Sequence, residues 1–484
     1  MSKLYIFGIG GTGSRVLRSL TMMMAAGVNL GRDIKEIVPI IIDPDRTNGD
    51  KMRTITLMRA YNKLRNQIDF SDQEDYAFFK TQIAAENNLA LQNFTLNIKD
   101  TDEKRFGDFI EKESLSKENR ALVEMLFSQK NLDSKMDVGF KGNPNIGCVV
   151  LNQIADSDDL KNIANSFDQG DRIFIISSIF GGTGASGFPL LLKTLRDADN
   201  ATLSNKEALN NALIGGISVL PYFKLEYDEN SEIESSTFMS KTKAALAYYQ
   251  KNITDEINAF YFVADTPQQA YENNEGSTAQ KNNAHMVEFL AASAIVDFCH
   301  RSKDDLEGMT HYYQMGTHRF SSALTMKSFY DETKARLYQP LTSFTLAANA
   351  VCYPPEAEKE IQGELNANKS LNLGSDFFTG EFYRHFKEFA EDYRGWLDEM
   401  KQNNPQLNLF NTATQNKPFE LVSDIEAKKP TFLKRAFGKT DYSTFNELIN
   451  KNAKGIDNSL SAPTKFIRLY SRGTKEMVKE KINF

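Results

Sequence analysis

Cysteine is scarce: three in 484 residues, with Cys148, Cys299 and Cys352 far apart. That spacing excludes a disulfide framework and paired zinc ligands, and leaves buried thiols in a reducing compartment. Five histidines are scattered without a His-x-x-x-His or His-x-Glu pattern, so they offer no metal site. No apolar run approaches the roughly 20 residues that a membrane-spanning helix needs. Excess positive charge is missing as well. The net charge of −7 gives no global basic field to attract nucleic acid or a membrane surface. The start, MSKLYIFGIGG, runs directly into a strand and turn without a leader pattern, so a cytoplasmic setting is expected.

What is present is an ordinary globular composition, 41% hydrophobic and 25% charged, in a chain long enough for two domains and a small third. Up to about residue 265, apolar strands alternate with amphipathic helices. KLYIFGIG, EIVPIIIDPD, RIFIISSI, ALIGGISVLPYF and NAFYFVAD read as strands. SRVLRSLTMMMAAG, DDLKNIANSF, FPLLLKTLRDA and STFMSKTKAALAYYQKN read as helices. This alternation predicts an α/β fold with a parallel sheet covered on both faces. Residues 50–135, rich in Asn, Gln, Glu and Lys, read as a helical insertion on the surface. NAHMVEFLAASAIVDFCHR, 283–301, is apolar nearly all round and predicts a buried central helix. SSALTMKSFYDETKARLYQPLTSFTLAANAVCYPP reads as a short helix with one or two strands. Helical patterns return from 356, in EAEKEIQGELNA, EFYRHFKEFAEDYRGWLDEMK and TKEMVKEKINF. The local basic run 428–439 reads as a solvated loop.

Two glycine-rich turns each stand between a strand and a helix. In the first, Gly8, Gly10 and Gly13 form Gly-x-Gly-x-x-Gly, with Asp43 closing the next strand where a ribose would be held. That pattern alone fits a dinucleotide site. GIGGTGS followed by IIDPD is also similar to adenylyltransferases of the ubiquitin-activating type, but the zinc cysteines and catalytic cysteine of that family are not recognisable. The second turn is FGGTGASGFP, 180–189. Neither loop carries the Lys-Ser/Thr pair of a Walker loop, so backbone amides and a metal must neutralise any bound phosphate. Two such loops suit one polyphosphate gripped from two sides.

In combination these segments resemble the tubulin/FtsZ family of GTP-binding cytoskeletal proteins, over roughly residues 1–310. GGTGASG resembles that family's phosphate-wrapping signature, which assigns Gly181, Gly182, Thr183, Gly184, Ala185, Ser186 and Gly187 to the nucleotide. GIGGTGS looks like the first nucleotide loop, with Gly8, Gly10, Gly11, Thr12, Gly13 and Ser14. IDPDRTNGD is similar to the second loop, making Asp43 and Asp45 the candidates near Mg2+. GNPNIG resembles the loop at the γ-phosphate, with Gly142, Asn143 and Pro144, and VLPYF, containing Pro221, looks like the ribose-side loop. Asn283 or Asn282 is the implied guanine contact, with Asp265 facing the purine. The chain departs from the pattern at Phe180, where the family has glycine, and in its C-terminal half, which lacks a match to the activation domain's sheet.

The resemblance implies a GTP-binding domain over 1–280 and a central helix over 281–303. A smaller α+β activation-like domain follows over 304–355, and a helical C-terminal extension over 356–484. It implies GTP/GDP and Mg2+ as ligands and head-to-tail assembly into filaments. Hydrolysis would be completed by acids that follow the central helix, here Asp304, Asp305 and Glu307 in SKDDLEG. The family's Asn-x-Asp is not reproduced there. A second reading is a nucleotide-gated scaffold that binds without turnover and recruits a protein partner through its C-terminal helices.

Overall fold

The computed structural model describes residues 2–70, 78–86, 91–102, 104–197, 203–226, 238–266, 270–271, 276–318, 323–352, 359, 361–365, 368, 371, 373–412, 417–428 and 441–482. The basic run expected as a loop over 428–439 lies outside the described residues except for Lys428.

Its centre is a sheet of seven strands, all pairings parallel: β1 (Ser2–Ile9), β2 (Ile34–Ile42), β3 (Gln82–Ile83), β4 (Arg172–Ser178), β5 (Leu213–Val219), β6 (Ala259–Val263) and β7 (His311–Gln314). The strands read as near-continuous apolar runs because helices cover both faces of a parallel sheet. In β1 every residue from Leu4 to Ile9 is buried. The spatial order is β3-β2-β1-β4-β5-β6-β7. The chain builds outward from β1 in one direction, then restarts beside β1 and builds in the other. The crevice outside the carboxyl ends of β1 and β4 is therefore the topological switch point, where open α/β sheets bind ligands.

Among the described residues the helices of eight residues or more, in chain order, are α1 (Gly10–Ala25), α2 (Gly49–Arg65), α3 (Lys117–Leu126), α4 (Pro144–Leu151), α5 (Asp158–Asn165), α6 (Gly182–Arg196), α7 (Phe238–Asn252), α8 (Met286–His300), α9 (Asp331–Val351), α10 (Glu381–Lys401), α11 (Asp441–Lys451) and α12 (Ala462–Lys481). The stretch expected as a surface insertion, 50–135, divides. α2 packs on α1 and buries Ile55, Met58, Tyr61 and Leu64. α3 buries nothing. α8 is buried along its whole length up to Cys299, as an all-round apolar helix must be.

Beyond α8 the architecture differs from the expectation. Residues 311–314 become the edge strand of the main sheet. Residues 331–351, which read as a short helix with strands, form one 21-residue helix. The β-branched and hydroxyl residues of LTSFTLAANAV suggest a strand. In the helix, however, Thr342 Oγ1 donates to the Tyr338 carbonyl at 2.6 Å and Thr345 Oγ1 to the Leu341 carbonyl at 2.7 Å, so burial leaves these hydroxyls satisfied. Other pairing among the described residues is limited to two-residue ladders (Ala323–Leu324 with Gln406–Leu407, Lys224–Leu225 with Ala270–Tyr271) and isolated bridges.

α10 has an apolar stripe at helical spacing: Phe382, Phe386, Phe389, Tyr393, Trp396 and Met400, all buried. It lies against α2 and α9, and α12 lies against α9. Trp396 stacks near Phe289 of α8 at 6.1 Å and its indole N–H donates to Ser19 Oγ of α1 at 3.3 Å. The C-terminal helices thus share the core of the main sheet.

Candidate functional site

β1 and β4 are neighbours in the sheet, with Gly8 paired to Ile176. Each leaves the sheet at its carboxyl end, turns on glycine and enters a helix. The two glycine loops are therefore brought side by side at the switch point by strand order alone. Gly10 opens α1 at φ +69°, a conformation that residues with a Cβ rarely adopt, and a Cβ placed there would lie 3.6 Å from Thr183 Cβ. The loops touch. At Gly13 a Cβ would lie 2.4 Å from the Gly8 carbonyl carbon, so a glycine is required for α1 to start this close to its own strand.

Neither α1 nor α6 has a side-chain cap, and neither has an acidic residue in its first turn. Their first-turn N–H groups, and about half a positive charge on each helix end, face the crevice. A cleft of about 1210 Å³ lies there, with Gly10, Gly11, Thr12, Gly181, Gly182 and Thr183 among its lining residues. Such a surface suits an anion such as phosphate.

Asp43, Asp45, Gly142 and Asn283 line the same cleft. Gly8, Gly13, Ser14, Gly184, Ala185, Ser186, Gly187, Asn143, Pro144 and Pro221 do not. Gly8 and Gly13 set the close approach of strand and helix, and Ser186 Oγ donates back to the Gly182 carbonyl at 2.7 Å. Asn143 caps α4 by accepting from the Asn145 and Ile146 amides. Asn143, Pro144 and Ala185 line a second cavity, of about 1520 Å³, which shares Phe140, Lys141, Gly142, Phe180 and Gly181 with the cleft. Pro221 precedes Tyr222 and Phe223, which are the lining residues of that loop. Asp265 accepts from the Thr266 amide away from the cleft. Asn282 lines the cleft, but its amide donates to Asp50 Oδ2 at 2.7 Å.

Phe180, the departure from the family's glycine, is buried with its ring 5.0 Å from Phe238, 5.6 Å from Phe223 and 6.3 Å from Tyr222. It joins the second glycine loop to the β5 loop and α7 as an aromatic wall of the cleft.

Asp43 and Asp45 differ in availability. Asp45 Oδ1 accepts from the Thr47 amide at 3.0 Å and Oδ2 from the Ser277 amide at 2.7 Å. Asp43 Oδ1 accepts from the Asp45 amide at 3.0 Å, and its Oδ2 has no hydrogen-bond donor among the described residues. Burial raises the Asp43 carboxyl to about 6, against the opposing pull of Lys51 and the Asp45 amide. Lys51 Nζ donates to the Asp45 carbonyl, and burial lowers its own value. A magnesium ion arriving on phosphate oxygens needs only one or two carboxylates, and Asp43 fits that role.

Several lining residues are not among the sequence candidates. Arg15 sits one turn into α1, only 7% exposed. It donates to Glu288 Oε1 at 2.5 Å, Asp50 Oδ2 at 3.2 Å and Tyr222 Oη at 2.7 Å. Burial opposes its charge, but Tyr222, Glu288 and Asp50 outweigh burial and hold the guanidinium well above its ordinary value. His285 caps α8, its Nδ1 accepting from the Val287 amide at 3.1 Å, while Glu288 Oε2 accepts from the His285 amide at 3.1 Å. Burial first, and Arg15 second, lower His285 to about 3, so it is neutral. With Nδ1 accepting, the ring proton is on Nε2. Asn48, Lys141, Gln280 and Asn403 complete the wall. Arg15 is legible as the first cation after the glycine loop; Asn403, nearly 400 residues from that loop, is not.

Asp304, Asp305 and Glu307 are exposed at the opposite end of α8 from His285, a helix of 15 residues and so roughly 22 Å long. Asp305 accepts from the Ser302 hydroxyl at 2.7 Å and Glu307 pairs with Lys303 at 3.1 Å. Asp304 has no such partner among the described residues.

No protein-family model and no curated protein matches the chain. Solved structures similar to it include a point mutant of FtsZ from M. jannaschii, 14% identical, TM-score 0.25, over 54% of this chain and 46% of that one. CetZ from Methanosaeta thermophila is 16% identical, TM-score 0.25, over 55% and 46%. CetZ2 from Haloferax volcanii, solved as a GTPγS-bound protofilament, is 12% identical, TM-score 0.28, over 62% and 58%. The match spans about half the length of these proteins.

Proposed function

We propose that the chain is a tubulin-like GTPase that binds GTP with Mg2+, assembles head-to-tail into filaments and hydrolyses GTP where subunits meet. One observation carries the reading: two uncapped helix N-termini, at Gly10 and Gly182, converge on one cleft at the switch point of a parallel sheet. Cations mark one side of the cleft. Lys141 lines it and Lys241 Nζ donates to the Gly142 carbonyl at 2.7 Å. Where α8 begins, Asn283, His285 and Asn403 line the cleft, with the Arg15–Glu288 pair beside them. The triphosphate is assigned to the glycine loops and the Gly142 side, and the base to the start of α8. Asp43 would hold the magnesium, which supplies charge neutralisation to the phosphates when bound.

Hydrolysis needs a water aligned opposite the bond from the γ-phosphorus to the β–γ bridging oxygen. Water oxygen bonds to phosphorus, the bridging bond breaks, and GDP leaves with the electron pair while a carboxylate takes up the water's proton. The acids that line this cleft among the described residues are Asp43, Asp45 and Glu288, of which Asp45 and Glu288 are taken up by local hydrogen bonds and Asp43 is assigned to the metal. Asp304, Asp305 and Glu307 lie a helix length away and can reach a nucleotide only in a neighbouring subunit. Such a contact joins unlike surfaces and propagates as an open filament. The local partners of Asp305 and Glu307 favour the alternative, a non-hydrolysing nucleotide-gated scaffold, and leave Asp304 as the acid on which turnover depends.

Phosphate release from GTP and from ATP, measured across a protein dilution series with light scattering in the same cuvette, separates the readings. GTP-specific turnover that rises with scattering above a threshold concentration supports the assembling GTPase. Binding without turnover or scattering supports the scaffold, and binding of neither nucleotide sinks both.

A further inference from the structure

The base end of the cleft is not finished by the sheet domain. The last turn of α10 and the residues after it lie against 282–285, the segment that leads into α8. Glu399 accepts from Arg18 of α1 at 2.6 and 3.1 Å, from Arg53 of α2 at 3.2 Å and from the Ala284 amide at 2.8 Å. Asn403 Nδ2 donates to the Ala284 carbonyl at 2.6 Å and to the Glu399 carbonyl at 3.1 Å. Both backbone polar groups of Ala284 are thus held by the C-terminal region. Next to it, Asn283 Nδ2 donates to Gln402 Oε1 at 2.9 Å. Asn403 is 4% exposed and lines the cleft itself.

We propose that residues 399–403 complete the base-binding end of the cleft, with Asn403 a specificity-determining residue that touches the purine and Glu399 and Gln402 positioning residues that fix Asn283 and Ala284. The inference rests on the nucleotide reading above. Its consequence is that nucleotide affinity and docking of the C-terminal helices are coupled. A ligand that contacts both segments holds them together, and loosening the clip weakens the ligand. A buried side-chain amide fixed by two hydrogen bonds cannot turn to suit a second base, so the wall discriminates between purines rather than merely enclosing one.

The test is calorimetric titration of the full chain with GDP, ADP and inorganic tripolyphosphate, each with Mg2+, for wild type, Asn403→Ala and Gln402→Ala. Asn403→Ala is expected to lose about tenfold in GDP affinity and to move the GDP-to-ADP ratio toward one, with tripolyphosphate unchanged. Gln402 is exposed, so Gln402→Ala folds normally, and loss of its tether to Asn283 is expected to weaken GDP about threefold with tripolyphosphate again unchanged. If Asn403→Ala does not fold, the Gln402→Ala result decides. GDP affinity unchanged in the variants, or a parallel loss for tripolyphosphate, overturns the proposal while leaving the nucleotide reading standing. Wild type that binds neither GDP nor tripolyphosphate removes the nucleotide reading and this inference with it.

Discussion

His285 offers a test of the cleft's electrostatics that needs no ligand. It is buried, neutral and caps α8 through Nδ1. Its folded value is about 3, against 6.5 for an exposed histidine. Because the folded value lies below the unfolded one, the unfolded chain takes up the proton first as pH falls. The stability that the neutral ring contributes is complete above about pH 6.5 and is lost progressively down to about pH 3. Each pH unit in that window is worth about 1.4 kcal/mol, so at pH 4.5 the native state has lost about 3 kcal/mol to this one group. His285→Asn removes the titration but keeps an oxygen acceptor at a position where asparagine is a strong cap.

Urea unfolding of both proteins at pH 7.5 and pH 4.5 reads the difference. Wild type and variant are expected to agree within about 1 kcal/mol at pH 7.5, and the variant to be more stable by about 3 kcal/mol at pH 4.5. The buried carboxyls nearby, Asp43 and Glu288, titrate in both proteins and drop out of the comparison. Parallel pH dependences for the two proteins would refute the assignment of a buried neutral imidazole.

Asp43 has the opposite sign. Its folded value of about 6 lies above the ordinary 3.8, so ionising it penalises the native state increasingly from pH 3.8 to 6 and fully above. Asp43→Asn should therefore stabilise the ligand-free protein by up to about 3 kcal/mol at pH 7.5, read by urea unfolding, and abolish the Mg2+ dependence of nucleotide binding. Gly13→Ala forces a Cβ into the Gly8 backbone and should cost about 3 kcal/mol or more, with loss of phosphate binding in the same titration. Asp304→Asn should lower GTP turnover about 100-fold while leaving the affinity of its own cleft unchanged, measured by phosphate release and by GDP titration. A loss of affinity in that variant would place the acid in the wrong subunit.

The sheet is legible because a parallel strand buried on both faces has no other way to be written than as an apolar run. The pairing of the two glycine loops follows from their position after two such runs. The buried helix at 286–300 is legible for the same reason. The stretch 331–351 is not. Its Thr, Ser and Pro340 count against a helix locally, and only burial, with the Thr342 and Thr345 hydroxyls turned back to carbonyls four residues earlier, makes the helix the better state. α2 reads as surface because its polar residues are numerous. Yet Thr54, Asp50 and Lys51 are buried and satisfied by partners on other segments.

Arg15 shows why the cleft itself is only half legible. An arginine after a glycine loop suggests a phosphate ligand. Its guanidinium instead faces Glu288 and Asp50, residues that lie 273 and 35 positions away and that share no local pattern with it. Two buried carboxylates and one arginine leave net negative charge, which Arg53 offsets by donating to Asp50 Oδ1 at 2.7 Å. Arg53 in turn reaches Glu399 of the C-terminal helix. The chain of alternating charges runs from Glu288 at the start of α8, through Arg15 of α1 and then Asp50 and Arg53 of α2, to Glu399 in the last turn of α10. Arg15, Asp50 and Glu288 are buried, and removing Arg15 leaves the Glu288 carboxylate without a cationic partner, a change worth several kcal/mol. The C-terminal half cannot then be a tail appended to a finished sheet domain. Its Glu399 is tied through Arg53 and Asp50 to Arg15 in the cleft wall, and through the Ala284 amide to the segment that leads into α8.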